Sequence, residues 1–251
     1  MLKNILSGIQ AYFKTFQLIS KLKLWKYFGV PILISLLTAT AIGFLAWGLS
    51  DNIGAFISKI WFWEWGAETF RTISDVLGAL IIIAIGLILY KHIIMALSAP
   101  FMSPVSEQHF LGTKHTHRNT TNASQLWRGI RINVRNLLLE LLFTIPILLL
   151  SLIPIVNIFT SVLLFLVQSY YAGFGNMDYT LERHFTYRES ISFVKRNKGT
   201  ALGNGIVFMA MLLIPVVGII LVLPLSVTAA SSETVKLLQK DMLLKQQEIN
   251  E

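Results

Sequence analysis

The stretch "LLIPVVGIILVLPLS", Leu212–Ser226, decides the fold: it is as apolar as a membrane span, yet Pro215, Gly218 and Pro224 break it three times. It lies within a 30-residue apolar block, 201–230. A turn at Pro215–Gly218 leaves arms of about 13 residues, or ~20 Å, against a hydrocarbon core of ~30 Å, so two full crossings do not fit. A single crossing would carry a proline and a glycine at its midpoint. A re-entrant helical hairpin explains all three breakers. Its turn must be buried in protein or line a wet cavity, because loop backbone cannot face lipid.

The feature recurs upstream. "LIPIVNIF" (Leu152–Phe159) matches "LIPVVGII" (Leu213–Ile220) at an offset of 61, which pairs Pro154 with Pro215 and Asn157 with Gly218. Asn157 and Gly218 both suit a turn in left-handed backbone. The two blocks, 137–174 and 201–230, therefore read as an internal repeat of two Pro-broken helical hairpins. The arms of the first are longer and long enough to span.

Composition agrees with a membrane setting. Of the 251 residues 54% are hydrophobic and 14% charged, and the mean hydropathy is +0.64. The apolar residues lie in long blocks, which points to an all-α integral membrane protein. The absence of cysteine excludes disulfides and thiolate chemistry. A net charge of +8 fits a basic cytoplasmic face better than nucleic-acid binding. The N-terminus lacks the apolar core and small-residue site of a cleavable signal.

Within 1–22, Leu2, Ile5, Ile9, Phe13, Phe16 and Ile19 fall at helical spacing opposite Lys3, Gln10, Lys14, Gln17 and Lys21. That pattern predicts an interfacial amphipathic helix; a core-facing helix is the other reading. Transmembrane helices are expected over 27–49, with Pro31 in the first turns, and over 76–97, closed by "SAPF" (Ser98–Phe101) because the residue before Pro100 disfavours helix. Between them "WFWEW" (Trp61–Trp65) suits a headgroup boundary. Residues 102–136 read as a polar segment whose end, Trp127 to Leu138, could lie along the membrane surface. A basic connector, 175–200, and a polar cytoplasmic tail, 231–251, complete the single membrane domain.

Charge sets the orientation. Of 21 lysines and arginines, only Lys59 and Arg71 fall between Ser50 and Asp75. If that loop is external, both termini are cytoplasmic. Two spans plus two hairpins satisfy this, and so do six crossings.

"LSAPFMSPVSEQ" (Leu97–Gln108), "MDYTLERHFTYRESISFVKRNKGTALGNG" (Met177–Gly205) and the Pro-broken stretch that follows occur in an order that resembles the CysZ-type sulfate permeases and the related etoposide-induced membrane proteins. The resemblance covers nearly the whole chain. It implies two long spans, two partly inserted hairpins, a homo-oligomer and, in the bacterial branch, passive sulfate uptake through the inner membrane to feed cysteine synthesis. It places an anion site in a Gly-x-Arg-Arg-like motif, matched here by Lys23, Leu24, Trp25 and Lys26, with Lys21 nearby. Glycine and one arginine are lost and the other arginine is lysine, which supplies a point charge rather than a fork. These lysines could equally anchor the span in headgroups.

Lys91, well inside its span, either snorkels to the headgroups or pairs with a carboxylate near a polar pathway, Glu107 or Glu140; Arg135 stands beside the latter. His109, His115 and His117 are expected to be solvated rather than metal ligands, and Asn119 and Asn122 head sequons in a loop expected to be cytoplasmic. The sequence implies no metal, no cofactor and no enzyme, since it holds no nucleophile–base pair or Walker loop. The expected function is a passive channel or permease for a small oxyanion such as sulfate, in the lipid bilayer. A non-transporting scaffold or lipid-interacting protein is the alternative.

Overall fold

The computed structural model describes residues 1–59, 66–110, 120–151, 154–214, 218 and 220–250. The Trp61–Trp65 cluster, His115, His117, Asn119 and Pro215 lie outside the described residues. The described residues form helices and turns, with no strand. In chain order the helices are α1 (Leu2–Gln10), α2 (Thr15–Lys21), α3 (Gly29–Ser58), α4 (Ala67–Phe110), α5 (Asn122–Ser151), α6 (Pro154–Leu181), α7 (Tyr187–Arg196), α8 (Lys198–Leu212) and α9 (Val222–Asn250). Short 3-10 turns, Ala11–Lys14 and Leu24–Tyr27, join α1 to α2 and α2 to α3.

Stretches long and apolar enough to cross a membrane occur in four helices: Gly29–Leu49, Ile85–Val105, Asn122–Ser151 and Ile155–Leu181. The chain is a multi-pass, all-α membrane protein. Leu33, Leu37 and Phe44 on α3, and Leu142, Leu149, Ile158 and Phe159 on α5 and α6, are exposed because their solvent is lipid.

Several expected boundaries shift, each for a packing reason. The second span does not close at "SAPF": α4 runs through Pro100 and Pro104 to Phe110. Its 90–105 portion is wrapped by neighbouring helices, and Tyr90, Ile94, Met95, Ala99, Met102 and Val105 form the main core with Leu24, Phe28, Phe208 and Val227. The Tyr179 hydroxyl donates to the Met95 carbonyl at 2.6 Å, and this packing holds α4 helical across Pro100. Trp127–Leu138 is no separate surface helix, since it opens the 30-residue α5. The first hairpin is thus α5 with the 28-residue α6, arms of ~45 and ~42 Å that exceed a ~30 Å core. Nor is the tail separate: α9 continues from the second apolar block to Asn250. Ser231, Glu233, Thr234, Val235 and Leu238 in it are buried.

The hairpin tips also differ from the expectation of left-handed backbone. Asn157 sits in the first turn of α6, which Pro154 opens, a position where a missing N–H leaves no helical acceptor unmet. Gly218 is helical, its N–H donating to the Ile214 carbonyl at 2.6 Å. Among the described residues the positive-φ positions are Lys23 and Gly66. Gly218 answers crowding instead: a Cβ there would come within 3.0 Å of the Leu212 carbonyl oxygen.

α8 is the packing hub. Its 15 residues rise ~22 Å, short of a ~30 Å core. On one side Gly203 lies against the Ile5 backbone of α1, and Gly8 lies against Thr200 and Asn204. On another side Gly205 and Gly173 bring α8 and α6 into backbone contact at Ser169 and Ala201. Without a hydrophobic drive between helices in lipid, such small-residue seams supply the close van der Waals contact that holds them.

Gly205→Leu should therefore destabilise the protein by about 2–3 kcal/mol through overpacking, measured by thermal unfolding in detergent. Gly48→Ala is the control. A Cβ at Gly48 meets nothing within 4 Å, so that variant should unfold with the wild type.

Candidate functional site

Consecutive residues on a helix point about 100° apart, so Lys91 and His92 of α4 meet one partner only if it sits between them. Glu140 of α5 does. Its Oε1 accepts from Lys91 Nζ at 2.6 Å and its Oε2 lies 3.0 Å from His92 Nε2. Lys91 and Glu140 are both 0% exposed. Lys91 Nζ also reaches the Gln168 carbonyl of α6 at 3.5 Å. His92 Nδ1 faces Asn133 Oδ1 at 3.5 Å, in an amide oriented by its own Nδ2, which donates to the Gly129 carbonyl at 2.9 Å. Of the two readings of Lys91, pairing with a carboxylate is the one realised. Full burial leaves no room for snorkelling.

The reason lies in α5. Gln125, Gly129, Asn133, Asn136, Glu140 and Thr144 are buried at steps of three and four while the leucines between them face outward. This is the amphipathic pattern turned inside out, as lipid requires. Several donors along it lack a partner among the described residues: Asn136 Nδ2 and Thr144 Oγ1, one helical turn to either side of Glu140, and Ser169 Oγ next to Gln168. Buried polar atoms in folded proteins are nearly always hydrogen-bonded, to protein, water or ligand.

A second polar layer lies where α5, α6 and α7 converge. Arg128 grips Asp178 through both carboxylate oxygens, at 3.2 and 2.9 Å. It also donates to the Phe185 carbonyl at 2.7 Å and to Ser190 Oγ at 2.6 Å. Arg183 reaches Ser103 Oγ of α4 at 2.7 Å, and Thr180 bonds Ser231 of α9 at 2.9 Å. Burial, reinforced by Asp178, lifts the Glu182 carboxyl to about 7 against the pull of Arg128 and Arg183. A third layer ties α1 to the hub: Tyr12 donates to the Asn204 carbonyl at 2.9 Å, and the Asn204 side chain joins Asn176 at 2.8 Å and the Ser226 carbonyl at 3.0 Å. Ser7 caps this layer by donating to Glu233.

The remaining candidates are placed apart from Glu140. Arg135 turns its guanidinium over the Phe174 ring at 5.3 Å and donates to Asn136 Oδ1 at 2.9 Å. Glu107 and His109 lie in the last turns of α4, in a stretch whose side chains are not described. In the Lys21–Lys26 segment, Lys21, Lys23 and Lys26 are exposed whereas Leu24 is fully buried in the core. Trp25 stands edge-on to Phe16 and Phe28, at 5.6 and 6.1 Å. Lys23 itself, φ 53° and ψ 39°, caps α2 in the left-handed conformation that glycine adopts freely.

His92 and Asn133 were not singled out from sequence. The signal was present in α5, where polar residues recur at helical spacing inside an apolar run.

A family model described as sulfate transporter CysZ/etoposide-induced protein 2.4 matches residues 11–222. Among curated proteins none matches.

Glu140→Gln leaves the buried Lys91 uncompensated and should cost about 3–5 kcal/mol, whereas Lys91→Met combined with Glu140→Leu should recover most of that loss; thermal unfolding in detergent reads both. Lys23→Gly, by relieving left-handed strain, should gain ~0.5–1 kcal/mol in the same assay. An equal gain from Lys23→Ala would show that strain is not the cause.

Proposed function

The chain belongs to the sulfate transporter CysZ/etoposide-induced protein 2.4 family, and from that premise we propose that it passes a small oxyanion of the sulfate class through the membrane without coupled energy input. The observation that carries this reading is the buried Lys91–His92–Glu140 cluster with orphaned donors around it. An ionisable group within a span marks a pathway far more often than a fold requirement, because a packed apolar core does the structural job as well. Lys91 supplies the positive charge that an oxyanion needs. The hydroxyl and amide donors of Thr144, Ser169 and Asn136 are the groups that replace water around sulfate oxygens.

The exposed Lys21, Lys23 and Lys26 form the basic mouth. Leu24 of that segment belongs to the same core as the α4 residues Tyr90, Ile94 and Met95 that flank Lys91. The α8–α9 pair serves as the re-entrant element, since α8 is too short to cross. The scarcity of basic residues between Ser50 and Asp75 favours cytoplasmic termini in an inner membrane. The lipid-exposed outer face of α3, only 11% buried in its apolar window, is the surface offered to further copies of the chain.

Radiolabelled sulfate uptake into liposomes tests the reading. Lys91→Met combined with Glu140→Leu should reduce flux to that of empty liposomes. Neutralising Lys23 and Lys26 to glutamine should slow uptake about tenfold at low salt, with the difference shrinking as salt rises. Wild-type liposomes that pass no sulfate at any gradient would overturn transport in favour of a membrane scaffold.

A further inference from the structure

A groove of about 560 Å³ opens between α5, α6 and α8, and its lining includes none of Lys91, His92 and Glu140. Its chemistry is graded from end to end. Arg135, Lys195 and Lys198 border one end, and Leu139, Phe143 and Leu166 line the other. The gradient follows from the antiparallel helices. Arg135 lies across from Phe174, and two turns further along α5 Phe143 lies near Leu166, so the groove runs ~12 Å. Its apolar end opens on the outer face of the bundle, where Phe143 is 51% exposed.

Three cations meet at the other end, and among the described residues no carboxylate forms an ion pair with any of them. Arg135 is held in place by its stack on Phe174 and its bond to Asn136. A free oxyanion would use the cations and leave the apolar trough empty. A neutral acyl chain would fill the trough and leave the cations uncompensated. One ligand class satisfies both ends. We propose that this groove holds one anionic phospholipid, with its phosphate against Arg135, Lys195 and Lys198 and an acyl chain along Leu139, Phe143 and Leu166. Basic pockets between membrane helices recognise acidic headgroups in this manner, by adding charge to an apolar trough of ligand size. Because α8 forms one wall and is also the hub for α1 and α6, the bound lipid braces the seam between α8 and the α5–α6 pair.

Native mass spectrometry of the full chain in detergent, titrated with phosphatidylglycerol, phosphatidylcholine or inorganic phosphate, tests this. Phosphatidylglycerol should be retained as a one-lipid adduct and phosphatidylcholine retained weakly. Lys195→Gln with Lys198→Gln should weaken phosphatidylglycerol roughly 20-fold and leave phosphatidylcholine unchanged. Leu139→Trp should weaken both lipids by filling the trough, with unfolding in lipid-free detergent confirming its fold. Equal retention of the two lipids, indifference to the lysine substitutions, or displacement of phosphatidylglycerol by millimolar phosphate would each overturn the proposal. The readout is bound lipid rather than sulfate flux, so the outcome is independent of the transport reading.

Discussion

A carboxylate clasped between an ammonium and an imidazole, away from water, sets the terms on which the helices of this protein meet. An isolated charge in such surroundings is strongly destabilising, so with both residues present Lys91 and Glu140 are held together. Their contact fixes how α4 and α5 are rotated about their axes. Once Glu140 faces α4, helical spacing carries Gln125, Asn133, Asn136 and Thr144 inward with it. The leucines of α5 are left to face lipid. One ion pair thereby decides which side of two helices is inside.

The rest of the architecture answers a different constraint. Lipid is as apolar as leucine, so apolar side chains gain little by leaving it for one another. Helices here adhere where backbones approach closely, and α8 supplies the surface for that with Gly203 toward α1 and Gly205 toward α6. Short helix, glycine seams and a break after Leu212 belong together. A segment too short to cross the hydrocarbon needs protein on its flanks to shield its ends, and the seams put protein there. Around the hub, side-chain hydrogen bonds from Tyr12, Asn176 and Asn204 tie the neighbouring segments to α8.

These two devices divide the molecule into layers. Exposed lysines mark one end, where Lys23 holds a left-handed turn. The Arg128–Asp178 network ties α5, α6 and α7, and the Lys91–His92–Glu140 cluster lies within the spans. On the proposed route an oxyanion moves from the first of these to the last. The orphaned donors beside Glu140 are a feature that a purely structural ion pair does not call for.

What the sequence settled by itself were properties carried by runs and counts. Blockwise hydropathy gave a membrane class, and the order of motifs gave the family. Such properties survive without knowing what touches what. Contacts decided everything else. Pro100 looked like a stop, yet packing around Met95 and Tyr179 carried α4 past it. Asn157 and Gly218 looked like left-handed turns, yet both are helical, and among the described residues positive φ falls at Lys23 and Gly66. The tail looked solvated, yet Glu233 and Val235 are buried. Lys91 admitted two fates from sequence, and only the arrival of Glu140 from another helix, 49 residues away, selected one. Local propensity is a preference of about a kilocalorie or so per residue, and a buried ion pair or a backbone seam outweighs it.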